Sequence, residues 1–108
     1  MTTSAEELIK APDVDLVFIC SSHESHANHI LMSLRWDKPV FVEKPMCMSL
    51  RDADAIIDAE RKSRGWVMVG YMRRYASAFT QALKEIDGME KINYARVRGK
   101  TLGGWVDL

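Results

Sequence analysis

Residues 39–45 read PVFVEKP, a run of apolar side chains closed by a glutamate, a lysine and a proline. Val40, Phe41 and Val42 are β-branched or aromatic and favour a pleated, buried strand. Pro45 lacks the N–H that would continue a ladder, so the strand ends at the two charges. If the strand belongs to a parallel sheet, Glu43 and Lys44 stand at the edge where such sheets place ligands.

The neighbouring stretches support a parallel sheet. Upstream, Asp15–Cys20 (DLVFIC) is continuously apolar after its first residue, which predicts a strand covered on both faces. Between the two runs, Ala27, Ile30, Leu31 and Leu34 fall at i, i+3, i+4 and i+7, the apolar stripe of a helix running to about Arg35. Downstream, Ser49 and Asp52 have cap spacing, Ala53, Ile56 and Ile57 form a stripe, and Gly65 closes that helix. Trp66–Tyr71 (WVMVGY) is a third strand. A first short helix begins at the capping box Ser4/Glu7 and stops before Pro12. A last one carries Phe79, Ala82, Leu83 and Ile86 and stops at Gly88, and Lys91–Arg98 (KINYARVR) is strand-like without clean alternation.

Strands alternating with helices predict right-handed βαβ units, hence an α/β fold with a parallel sheet. Three polar clusters would then line its carboxyl edge: Ser21–His26, Glu43–Pro45 and Met72–Tyr75.

Composition narrows the partners. In 108 residues, 47% of them hydrophobic, fifteen basic side chains balance fifteen acidic ones. No net field draws the chain to nucleic acid or to an anionic membrane. No apolar run reaches the length of a membrane span, and the first residues are acidic where a secretion signal is basic, so a cytoplasmic location is expected. Cys20 and Cys47 have neither metal-ligand nor disulfide spacing and read as small buried hydrophobes.

Lys44 is the first candidate for chemistry. An ammonium held on rigid backbone can polarise a substrate oxygen or exchange a proton with it; it can equally pair with an acid at the sheet edge. His23, His26 and His29 form an H-x-x-H-x-x-H series, but residues at successive threes drift around a helix and do not converge on one metal ion. His26, beside Ser21 and Ser22 at a helix N-terminus, sits where backbone amides favour anionic or polar ligand groups, although a surface histidine helping to cap the helix has the same pattern. Arg73 and Arg74 can grip a phosphate or carboxylate, or be a solvated strand end. Gly99-Lys100-Thr101 lacks the earlier glycine of a phosphate loop. Met46, Met48, Met68 and Met72 read as core filler.

Taken in order, DVDLVFICSSHESHANHI (13–30), PVFVEKP (39–45) and WVMVGYMRRY (66–75) resemble the Gfo/Idh/MocA family of NAD(P)-dependent oxidoreductases, over Thr3 to about Gly99. The resemblance implies the second half of a Rossmann-type cofactor domain over residues 1–87, and the first strand of an α+β substrate domain over 88–108. Ser21, Ser22 and His26 match the family's strand-end segment, except that a proline usual there is missing. Glu43, Lys44 and Pro45 match its E-K-P motif, with Lys44 as the catalytic residue near nicotinamide and substrate hydroxyl, and Arg74 matches an arginine beside the cofactor. The implied cofactor is NAD or NADP, and the implied substrates are sugars, cyclitols and related polyols.

Neither a glycine-rich G-x-G-x-x-G loop nor the family's aspartate-and-histidine catalytic motif occurs, which leads to the expectation of an internal portion of an enzyme. A competing expectation is a non-catalytic module that pairs, through an open sheet edge, with itself or with a full-length paralogue.

Overall fold

A computed structural model describes residues 2–89, 91, 96, 98–101 and 104–107. The chain falls into two units, Met1–Met72 and Arg73–Leu108. In the first, α1 (Ala5–Lys10), β1 (Val17–Ile19), α2 (His23–Arg35), β2 (Val40–Glu43), α3 (Leu50–Lys62) and β3 (Val67–Gly70) alternate as expected. The strands form a parallel sheet in the order β1-β2-β3, with Val17 opposite Val40 and Val40 opposite Val67.

The predicted caps begin two of the helices. Ser4 Oγ accepts the Glu7 N–H at 3.3 Å and Ser49 Oγ accepts the Asp52 N–H at 3.1 Å, each satisfying a donor that the first helical turn leaves unpaired. Past α3, Gly65 is needed for close approach: a Cβ there would lie 2.6 Å from the Lys38 carbonyl oxygen.

One face of the sheet holds the core. Ile30 and Leu34 of α2 and Ile56 of α3 close over Val17, Ile19, Val40 and Val42, and Ile9 of α1 joins them. The other face carries the row Phe18, Phe41 and Met68, aligned by the strand register. Phe18 is 65% exposed, its ring 5.2 Å from that of Phe41. The expectation that β1 is covered on both faces is thus corrected. Right-handed crossovers that step in one direction, β1 to β2 to β3, place both connecting helices on the same side of the sheet.

The same geometry corrects the reading of the cysteines and methionines. Cys20 has the alternation of Phe18 and is exposed, while Cys47 is half-buried against the core; neither is in a disulfide. Met46 packs against the core, but Met48 and Met72, beyond the strand ends, and Met68, on the open face of the sheet, are exposed.

At the opposite edge from the strand ends, Asp37 in the turn between α2 and β2 has φ 54°, a left-handed conformation that Asp and Asn adopt more readily than most residues. Its carboxylate accepts the Arg64 N–H at 2.9 Å and the Ser63 hydroxyl at 3.1 Å, and pairs with the Arg64 guanidinium at 3.1 Å. These contacts, led by the Arg64 backbone N–H, hold the Asp37 carboxyl below its ordinary value. A group with a depressed folded-state value contributes stability above its unfolded pKa of about 3.9, and that contribution is lost as the pH falls through the lowered folded value. Asp37→Asn keeps the backbone preference and removes the charge. It is expected to lower the melting midpoint at pH 7, with the gap to wild type closing as the pH drops below about 4; a gap independent of pH would show that the charge contributes nothing.

In the second unit, a 3-10 turn begins at Met72, in the last residue of the first unit, and runs to Tyr75, and α4 (Ser77–Ile86) follows it. Phe79, Leu83 and Ile86 of the predicted stripe are exposed. β4 (Arg98–Thr101) and β5 (Gly104–Asp107) make an antiparallel pair with Arg98 opposite Asp107. The strand predicted over Lys91–Arg98 lies largely outside the described residues, and β4 begins at its last residue, Arg98.

Candidate functional site

Parallel strands present their carboxyl ends at a common edge, so the segments that follow β1 and β2 become neighbours although they lie about twenty residues apart. After β1 the chain passes through Cys20 and Ser21 to Ser22, the N-cap of α2. Ser22 makes no side-chain cap hydrogen bond to the helix. The hydroxyls instead bond among themselves: Ser21 Oγ lies 2.7 Å from Ser25 Oγ, and Ser25 Oγ donates to the Ser22 carbonyl at 2.7 Å. His29 Nδ1 is 3.4 Å from Ser21 Oγ. Ser21 and Ser22 are exposed, as an edge that meets a ligand requires.

After β2, Glu43 is half-buried and Lys44 exposed. The two opposite charges do not pair. Glu43 turns back so that its carboxylate accepts the Lys44 backbone N–H at 3.3 Å, and among the described residues the Lys44 ammonium is in no ion pair. The Lys44–Pro45 peptide is cis. Beside them Gly70 ends β3 opposite Glu43, where a Cβ would press on the Phe41 ring at 3.1 Å.

His26 holds the two segments together. It is fully buried, with Nδ1 2.7 Å from the Pro45 carbonyl and Nε2 3.1 Å from the Ser21 carbonyl. Ser21, Ser22, His26, Glu43, Lys44 and Pro45 therefore share one edge of the first unit. Arg73 and Arg74 are exposed on the 3-10 turn and belong to the second unit, so a cofactor role for Arg74 rests on the sequence resemblance alone. His23 and His26 meet ring edge to ring face at 5.7 Å, and no group of three His, Cys, Asp or Glu side chains among the described residues is placed to hold a metal ion.

Sequence reasoning overlooked Ser25 and the Pro45 carbonyl. Ser25 was discoverable, standing one helical turn beyond Ser21. Nothing local marks a carbonyl nineteen residues from its histidine.

A hollow of about 180 Å³ beside this edge is lined by Leu8, Phe18, Cys20, Ser21 and His29, among others. Another, of about 380 Å³ between α2 and α3, includes Arg35, Asp37 and Lys62 and touches none of the edge residues.

The sequence profile of an oxidoreductase family with an NAD-binding Rossmann fold, Gfo/Idh/MocA, matches residues 1–71. The chain belongs to this family. Inositol 2-dehydrogenase of Salmonella paratyphi B is 38% identical over 85 residues, which are 78% of this chain and 25% of that enzyme. The inositol 2-dehydrogenase/D-chiro-inositol 3-dehydrogenase of Lacticaseibacillus casei is 42% identical over 79 residues, 72% of this chain and 22% of its own. Among solved structures, myo-inositol dehydrogenase from Lactobacillus casei, in complex with NAD(H) and myo-inositol, superposes with a TM-score of 0.75 at 32% identity, over 80% of this chain and 26% of that one. The chain spans about a quarter of the length of the curated relatives it matches.

The α/β architecture with a parallel sheet is thus that of the Gfo/Idh/MocA Rossmann fold, and NAD is the family's cofactor. Among the described residues no helix is long and apolar enough to cross a membrane.

Proposed function

We propose that the edge formed by Ser21, Ser22 and Glu43–Pro45 is the nicotinamide side of a NAD(P)-dependent oxidoreductase site acting on a sugar- or polyol-type substrate, with Lys44 as its catalytic residue. The observation that carries this reading is the state of Lys44: exposed, at the carboxyl end of a central strand, on backbone fixed by the β2 ladder, and without an ion pair among the described residues. A lysine serving only to neutralise an acid would have Glu43 as a ready partner, and Glu43 instead binds backbone. The residues fit the cofactor. The N-terminus of α2, which no side chain caps, and the exposed Ser21 and Ser22 present polar groups to a polar or anionic ligand, and Lys44 offers a cation.

When bound, the nicotinamide supplies or takes the hydride. The chain's own residues manage the oxygen and its proton. In the oxidising direction Lys44 would take the proton of the substrate hydroxyl as the C=O bond forms. In the reducing direction the ammonium returns that proton. Glu43, by accepting the Lys44 N–H, helps fix the backbone from which the amine reaches. The polyol class is inferred from the named inositol dehydrogenases, and a cytoplasmic setting fits two cysteines outside any disulfide.

The test is a fluorescence titration of the purified chain with NADH and NADPH. Saturable binding that Lys44→Ala weakens by about tenfold, in a variant whose circular dichroism is unchanged, is the expected result. Binding indifferent to Lys44 would remove that residue from the site, and absence of binding by the folded chain would overturn the reading for this chain.

A further inference from the structure

We infer that His26 is a positioning residue for Lys44: its imidazole donates an N–H from Nδ1 to the Pro45 carbonyl, so that the loop carrying Lys44 is tied to the first turns of α2. This inference deepens the reading of Lys44 given above and rests on it. It assigns His26 to the support of the site and not to direct contact with the cofactor.

The ring is 0% exposed, and both of its nitrogens face backbone carbonyls. Carbonyl oxygens only accept, so a nitrogen facing one must donate to gain anything from the contact. A neutral imidazole has one N–H, and the 2.7 Å contact at Nδ1 is the shorter of the two, against 3.1 Å at Nε2. Two lone pairs opposed at 2.7 Å in a buried setting would repel, which places the proton on Nδ1 in the neutral ring; in the doubly protonated ring Nδ1 carries one as well.

The clamp acts where the backbone lacks other restraints. The β2 ladder ends with Glu43 opposite Gly70, and α3 begins only after Ser49. Among the described residues, the Lys44 N–H is held by the adjacent Glu43 carboxylate and Cys47 Sγ reaches the Ser49 carbonyl, while the bond from His26 to Pro45 is the one that joins residues 44–48 to an element distant in sequence. Lys44 therefore lies between a ladder on one side and the clamp on the other, one peptide from each. A displacement of about 1 Å at such a residue is enough to cost a large factor in rate.

Two substitutions separate clamping from bulk. His26→Asn can keep a donor at the place of Nδ1, facing Pro45; His26→Gln reaches instead toward the place of Nε2, facing Ser21. Both leave a polar group in the same buried space. The first measurement is a long-range nitrogen–proton correlation spectrum of the imidazole rings in the wild-type chain, in which His26 is expected to show a slowly exchanging proton on Nδ1. The second is the pair of backbone amide resonances of Lys44 and Met46 in each variant, read beside the melting midpoint. His26→Asn should leave those resonances close to wild type and His26→Gln should move them, although both variants melt at comparable temperatures. NADH affinity should follow the same order, near wild type for Asn and roughly tenfold or more weaker for Gln.

An unprotonated Nδ1 overturns the inference. So do Lys44 and Met46 resonances that respond equally to both variants, or to neither. If the variants fail to fold, the wild-type imidazole spectrum alone decides. A positive imidazole result in a chain that binds no nicotinamide would leave the clamp standing and remove the cofactor reading.

Discussion

Ile30→Ala is expected to destabilise the first unit by about 2–5 kcal/mol, the range for emptying a fully buried aliphatic position. Ile30 is 0% exposed and packs, together with Leu34 and Ile56, against the core face of the sheet. Removing its side chain takes away the transfer free energy of the lost methyl and methylene groups, and it leaves a cavity that two helices fixed to one sheet cannot readily close. Small domains hold only roughly 5–15 kcal/mol of unfolding free energy, so the loss is a large share of the whole. Urea denaturation is the appropriate measurement, with a shift in midpoint at unchanged slope. Phe18→Ala is the internal control. Phe18 is larger but 65% exposed, and its truncation should cost far less than that of Ile30. Equal losses at the two positions would mean that the open face of the sheet is covered in solution.

Lys44→Met should lower kcat by about 10²- to 10⁴-fold in any active polypeptide that carries these residues, the usual contribution of a positioned acid or base. Methionine keeps the length and the apolar stem of lysine and removes the exchangeable proton. Because Lys44 is exposed and in no ion pair among the described residues, the substitution should leave the melting midpoint near wild type. Lys44→Arg separates charge from proton transfer: it should bind cofactor nearly as well as wild type and still turn over slowly, because the guanidinium does not give up its proton near neutral pH. An unchanged kcat in Lys44→Met would assign the proton to another group and leave Lys44 as a solvated strand end.

The candidate site was legible in part. PVFVEKP announced both a strand and its end, because β-branched residues, adjacent charges and a proline each act within a few residues of chain. The serines and His26 were visible as a helix start. What His26 does there was not legible, since its decisive partner is a carbonyl, which every residue has. The fate of Glu43 was also hidden: adjacent opposite charges suggest a pair, yet the carboxylate prefers the nearer backbone N–H.

The fold divides in the same way. By itself the sequence determined the order of helices and strands, the helix caps at Ser4 and Ser49 and the parallel character of the sheet, which depend on periodicity and on interactions between residues close in the chain, and it carried the family resemblance in three segments read in order. Only the tertiary structure decided which face of β1 is open, that Cys20 is exposed, that Asp37 reaches Arg64 across 27 residues, and that His26 reaches Pro45 across 19. The physical reason is the hand of the crossover: an apolar run declares that a strand has two faces suited to burial, but the direction in which successive right-handed βαβ units step decides which face receives the helices. Once that step is taken, residues remote in sequence are brought to one edge, and the carbonyls and charges that meet there have no signature in the local pattern.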